Sequence, residues 1–214
     1  MTRPGAALRL ALRDLYGNSW RLLPLNALLG AVLIAVGVAA YAVHAALVLV
    51  VLAGPVTAAL VHSAVTVVRT GNLTLADGLE GLRAHWRRGL ELGACGAAFA
   101  LLAVLAIAFY ARSHVAWPLA FVALYLLVLA GIYQVILWTL AVAEPEVPLR
   151  TVAREAAELV ARRPGATTAL GLALLLVNLA GVAAAVMPFL TLTVAYSFVA
   201  VAHFALPRPT PEDP

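Results

Sequence analysis

The stretch from residue 22 to residue 68, LLPLNALLGAVLIAVGVAAYAVHAALVLVVLAGPVTAALVHSAVTVV, carries no formal charge over 47 consecutive residues, and it is bounded by Arg21 and Arg69. A helix crosses the hydrocarbon layer, about 30 Å thick, in about 20 residues. The run is therefore two crossings long and is expected to fold back on itself. A second uncharged run of 44 residues lies between Arg163 and Arg208 and reads the same way. Composition agrees: 64% of the 214 residues are hydrophobic, 11% are charged and the mean hydropathy is +1.00. A soluble domain has about 25% charged residues. The chain is thus predicted to be an all-α polytopic membrane protein, with residues 1–206 as a single transmembrane domain and 207–214 as a disordered tail.

Working outward, the charges set the threading. Helices are predicted over 22–42, 46–68, 92–111, 116–142, 166–186 and 189–206, with turns near Tyr41 to Ala45, at Ser113-His114 and at Met187-Pro188. All fourteen basic residues are arginine. Six crossings put thirteen of them on one side and leave only Arg112 on the other, so the positive-inside rule makes both termini cytoplasmic. The net charge of +4 then suits anionic lipid at the inner leaflet, not nucleic acid. The first apolar run is too long for a cleavable signal peptide, and no soluble domain follows it.

The cytoplasmic segments have helical periodicity of their own. Apolar residues recur at Leu8, Leu12, Leu15 and Tyr16; at Leu75, Leu79, Leu82, Trp86 and Leu90; and at Leu149, Val152, Ala156, Leu159 and Val160. Thr74, with Asp77 three residues on, is the expected N-cap of the second. Each helix ends in arginine before a span, at Arg21, Arg88 and Arg163, with spacings of 67 and 75 residues. This predicts three hairpins, each preceded by an amphipathic helix: parallel repeats over 1–69, 70–143 and 144–206. Any even-span chain obeying the positive-inside rule has the same charge pattern. Arg13, Trp20, Arg21, Trp86, Arg87, Arg88, Arg162 and Arg163 are the side chains expected to face lipid or a partner.

The segment Ala53-Gly54-Pro55-Val56-Thr57-Ala58-Ala59-Leu60, followed by Val67-Val68-Arg69, resembles the YesL-like family of bacterial integral membrane proteins. Leu82-Arg83-Ala84-His85-Trp86-Arg87-Arg88, Val147-Pro148-Leu149-Arg150 and Pro188-Phe189-Leu190 fit its layout. The second cytoplasmic helix departs from it, carrying Leu79, Leu82 and Arg where aromatic and Lys residues are usual. The resemblance implies a six-helix protein of the bacterial inner membrane without assigned activity. It also implies an accessory or transport-associated role, by the association of such proteins with carbohydrate uptake, with a transporter subunit or a self-oligomer as partner.

Polar groups at membrane depth are costly, so each is a functional candidate. Asn26, Thr57, His62, Gln134 and Asn178 stand out, together with Gly54-Pro55, where proline removes a backbone donor and predicts a break in the second span. Broken helices bind substrate in transporters. Interhelical hydrogen bonding and close packing are the structural alternative for the same residues. No Asp, Glu or Arg falls at the middle of a predicted span. Glycine phosphate loops, His-x-x-x-His, nucleophile elbows and Cys-x-x-Cys are missing from the sequence, so neither an enzyme nor a cofactor is expected. Cys95 is alone, which leaves no disulfide or cysteine metal site, and it reads as a small packing residue. A vitamin-transporter substrate subunit is the alternative reading. A lipid-modifying enzyme would have only Glu144, Glu146 and His85 to work with.

Overall fold

The computed structural model describes residues 2–113, 115–184 and 192–207. The turn at Met187-Pro188, His114 and the tail beyond Pro207 lie outside them, as do the side chains of residues 44–47. Among the described residues seven α-helices follow in order: α1 (Pro4–Ala42), α2 (Ala53–Thr70), α3 (Leu75–Ala111), α4 (Trp117–Ala143), α5 (Leu149–Arg162), α6 (Pro164–Ala183) and α7 (Val194–Ala205), with a 3₁₀ helix (His44–Leu52) leading into α2. Among the described residues there are no strands. Of the described stretches, five are long and apolar enough to cross a membrane: α1, Val48–Thr70, α3, α4 and α6. α7 is apolar but has only 12 described residues.

Two predicted boundaries disappear. The first amphipathic segment and the first span form one helix of 39 residues, and the second amphipathic segment runs without interruption into α3, a helix of 37. At 1.5 Å per residue these are about 58 and 56 Å long, far beyond the hydrocarbon thickness. A change from charged to apolar sequence does not interrupt backbone hydrogen bonding, so the helix continues through it. Only the third amphipathic helix is separate. There Pro164 starts α6, and Arg163 before it takes a non-helical conformation (φ −139°, ψ 57°) that ends α5. Pro24, by contrast, lies inside α1.

The start of α3 is as the sequence predicts. The Thr74 side chain accepts from the Asp77 amide (3.3 Å), and the Asp77 carboxylate accepts from the Thr74 amide (2.7 Å). This reciprocal cap satisfies two otherwise free donors. Gly71 closes α2 at φ 75°, a left-handed conformation that glycine adopts without penalty.

The core occupies one end of the molecule. It is built from α1 as far as Leu29 (Ala7, Ala11, Leu15, Leu22, Leu29), nearly all of α2, Leu92 of α3, the last turns of α4 (Ile136 to Ala143), α5, Leu170 and Leu174 of α6, and α7. The opposite end is open. In the apolar stretch of α2, 56% of residues are buried, against 11% in α3 and 6% in α4. Phe109, Val115, Phe121 and Tyr125 project freely there, and Cys95 is exposed instead of serving as packing.

The apolar periodicity identifies the helices, and in α5 the apolar stripe is also the face turned into the fold: Val152, Ala156 and Leu159 are buried. On α1, Leu12 and Tyr16 point outward while Ala7, Ala11, Leu15, Asn18 and Leu22 turn inward. On α3 the large residues Leu75, Leu79 and Trp86 are exposed, and the buried face is Gly78, Gly81, His85, Gly89 and Leu92. Small residues face the neighbouring helix because they let backbones approach closely.

Candidate functional site

The tightest seam in the fold is between α2 and α3. A Cβ built on Gly54 would overlap the Gly89 carbonyl oxygen, and one on Gly89 would lie 2.8 Å from the Gly54 carbonyl oxygen. Gly93 continues the contact: a Cβ there would lie 3.1 Å from the Gly54 Cα. Gly54 and Gly89 are buried, so the Gly-Pro element sits in a backbone-to-backbone crossing. The predicted break in the second span falls one residue earlier than the motif, where 3₁₀ geometry gives way to α at Ala53. Pro55 is then the third residue of α2. Proline is tolerated in the first turn of an α-helix, and here that turn continues from the 3₁₀ helix, with the Ala53 amide donating to the Val50 carbonyl.

Two turns along the seam, His62 of α2 meets His85 of α3. Nε2 of His85 lies 3.2 Å from Nδ1 of His62, with the ring centroids 5.1 Å apart. Gly81 makes room for this: a Cβ there would be 2.8 Å from the His62 Cβ. His85 is buried and His62 half-buried. The partner of His62 is 23 residues away in sequence and no local pattern marks it.

The remaining candidates are distributed along the bundle. Thr57 donates to the carbonyl of Ala53 in its own helix (2.9 Å). Asn26 is buried on α1. Gln134 of α4 donates to the Leu92 carbonyl of α3 (3.2 Å), close against Gly96. Asn178 of α6 donates to Ser197 Oγ of α7 (2.8 Å) and accepts from Thr193 Oγ1 (3.0 Å), while Ser197 donates to the Thr193 carbonyl (2.8 Å). Such interhelical bonds contribute about 0.6 kcal/mol on average in a membrane. Gly54, Pro55 and His62 thus share one seam, Gln134 ties α4 to the upper part of α3, and Asn178 belongs to a separate network. The side chain of His44 falls outside the described set.

Of the residues expected to face lipid or a partner, Arg13, Trp20, Trp86, Arg87, Arg162 and Arg163 are exposed and Arg21 is partly so. Two form cation–π pairs with their neighbours: Arg21 over Trp20 (4.7 Å) and Arg87 over Trp86 (5.2 Å). Arg162 pairs with Glu158 at 3.2 Å, in solvent. Arg88 is the exception: it turns inward and donates to the backbone carbonyls of Pro145 and Val147, the latter at 2.6 Å. Arg69 reaches the Ala143 carbonyl, 3.2 Å away. Both arginines therefore hold the connection between α4 and α5, a role that linear sequence does not reveal.

The chain ends are joined as well. His203 of α7 pairs with Asp14 of α1 (2.7 Å), Thr2 donates to the His203 carbonyl (2.5 Å), and Tyr196 donates to the Leu8 carbonyl (3.1 Å). A shallow groove along Ala76, Leu79, Glu80, Arg83 and Ala84 is open to the surroundings on one face of α3. Among the described residues no three His, Cys, Asp or Glu side chains cluster closely enough to hold a metal ion.

Fold and composition together define the class: an all-helical, multi-pass membrane protein. No family model matches the chain, and no curated protein or solved structure matches it either.

Proposed function

We propose that the chain is a six-crossing, YesL-like accessory or transport-associated protein of a bacterial inner membrane, with both termini in the cytoplasm. The observation that carries this reading is the polarity of the packing. The packed end is the end at which the arginines gather, and the far ends of α1, α3, α4 and α6 expose Val38, Leu102, Leu119 and Leu176. An apolar side chain in water gains about 25 cal/mol per Å² on burial. Among lipid tails that gain vanishes. A core at the water-facing end, with loosely joined helices in the hydrocarbon, follows from the difference. The contact of Thr2 and Asp14 with His203 supports an even number of crossings, with α7 belonging to the sixth.

On this reading the exposed Trp20–Arg21 and Trp86–Arg87 pairs meet anionic headgroups or a partner at the membrane surface. The three amphipathic segments are parallel repeat units, two of them fused to their spans. No step of catalysis is assigned to any residue. The expected result of mild-detergent purification from native membranes, followed by mass spectrometry, is recovery of a transport component or of the chain's own oligomer. A monomer carrying a tightly bound small molecule would overturn the accessory reading in favour of a substrate-binding subunit.

A further inference from the structure

The seam between α2 and α3 contains a feature that neither membrane insertion nor partner docking requires: two imidazoles in direct contact. We propose that His62 and His85 form a pH-sensitive clasp, holding α2 against α3 when they share one proton and releasing it when a second proton binds.

The argument is geometric. At 3.2 Å between Nε2 of His85 and Nδ1 of His62, one nitrogen donates and the other accepts. Neutral imidazole has one donor and one acceptor, so the contact is satisfied only while the accepting nitrogen is unprotonated. Adding a proton there sets N–H against N–H at the same separation. The rings have little room to move apart in place, since Gly81 lies against His62 and His85 is buried. Relief requires the helices to separate. The charged groups acting on the pair are Arg69 of α2 and Asp77, Glu80 and Arg88 of α3. Arg69 and Arg88 are held on carbonyls of the α4–α5 connection and add repulsion to an imidazolium. Asp77 is engaged in the helix cap and Glu80 is exposed, so neither replaces the lost bond. Among the described residues, α1, α4 and α7 contribute no charge to this set. Histidine is the side chain whose charge changes nearest to neutral pH, so acidification drives the release.

The seam is hinged by the turn between α2 and α3, so separation is greatest at its other end. Spin labels at Leu52→Cys and Glu91→Cys, both exposed positions, report it in the full-length protein carrying Cys95→Ser. The expected result is a shift of the label distance to longer values on acidification from about pH 7.5 to about pH 4.5. His62→Gln with His85→Gln, which keeps amide hydrogen bonding and removes titration, is expected to abolish the shift. An unchanged distance in the wild-type chain, or an equal shift in the double variant, overturns the clasp. Should the double variant not fold, ring-nitrogen NMR of the otherwise unaltered chain decides. At pH 7.5 the clasp requires one protonated and one accepting nitrogen across the contact, and two independently titrating rings would refute it.

Discussion

Gly54→Ala is expected to destabilise the folded protein severely, with loss of most folded material in detergent. The added methyl group would overlap the carbonyl oxygen of Gly89, a backbone atom that cannot rotate away. Relief requires α2 and α3 to separate along the seam that also holds Gly93, His62 and Gly81. Overpacking costs typically about 1–3 kcal/mol where side chains can adjust; here the obstacle is main chain, so the effect belongs at or above the top of that range. Gly37→Ala and Gly131→Ala are the matched controls, because nothing lies within 4 Å of a Cβ at either position. Both are inside helices, where alanine is favoured over glycine by about 0.8–1.0 kcal/mol. They should leave the melting temperature unchanged or raise it. Thermal unfolding in one detergent compares all three.

The second large effect is expected at Arg88. Its two terminal nitrogens donate to the carbonyls of Pro145 and Val147, in the connection that leads from α4 into α5. Hydrogen bonds from a charged donor contribute about 1.5–3 kcal/mol. Arg88→Ala should lower stability by about that amount and loosen α5, read as faster proteolysis between Glu144 and Pro148. Arg87→Ala, one residue away but exposed against Trp86, should change stability little. Arg88→Lys should not restore the wild-type value, since a single ammonium cannot reproduce the planar fork that reaches both carbonyls. Equal losses at positions 87 and 88 would contradict this assignment.

Much of the architecture was legible because it rests on local rules. Uncharged runs between Arg21 and Arg69 and between Arg163 and Arg208 marked the apolar segments. Thr74 and Asp77 marked a helix start, and the spacing of Val152, Ala156 and Leu159 marked an amphipathic helix. The continuity of α1 and α3 was not legible from charge, because a helix ends where its backbone is interrupted, and of the three junctions between an amphipathic segment and its span only the one at Pro164 is interrupted. The buried face of α3 was not legible from its large apolar residues, because close helix approach selects glycine. A signal was present in Gly78, Gly81, Gly89 and Gly93, spaced by three and four residues within each pair. The pairings of His62 with His85, Arg88 with the α4–α5 connection and Asp14 with His203 join residues 23 to 189 positions apart. Such contacts are set by tertiary packing, which leaves no local trace.

The account rests on one claim: the packed, arginine-bearing end faces the cytoplasm and the open ends of α3 and α4 reach the other side. Single cysteines at Arg83 and Val115, each exposed in the fold, test it on intact cells in the Cys95→Ser background. A membrane-impermeant maleimide should label Arg83→Cys only after permeabilisation and Val115→Cys before it. Labelling of Arg83→Cys in sealed cells, with Val115→Cys protected, would invert the protein in the membrane and contradict the account.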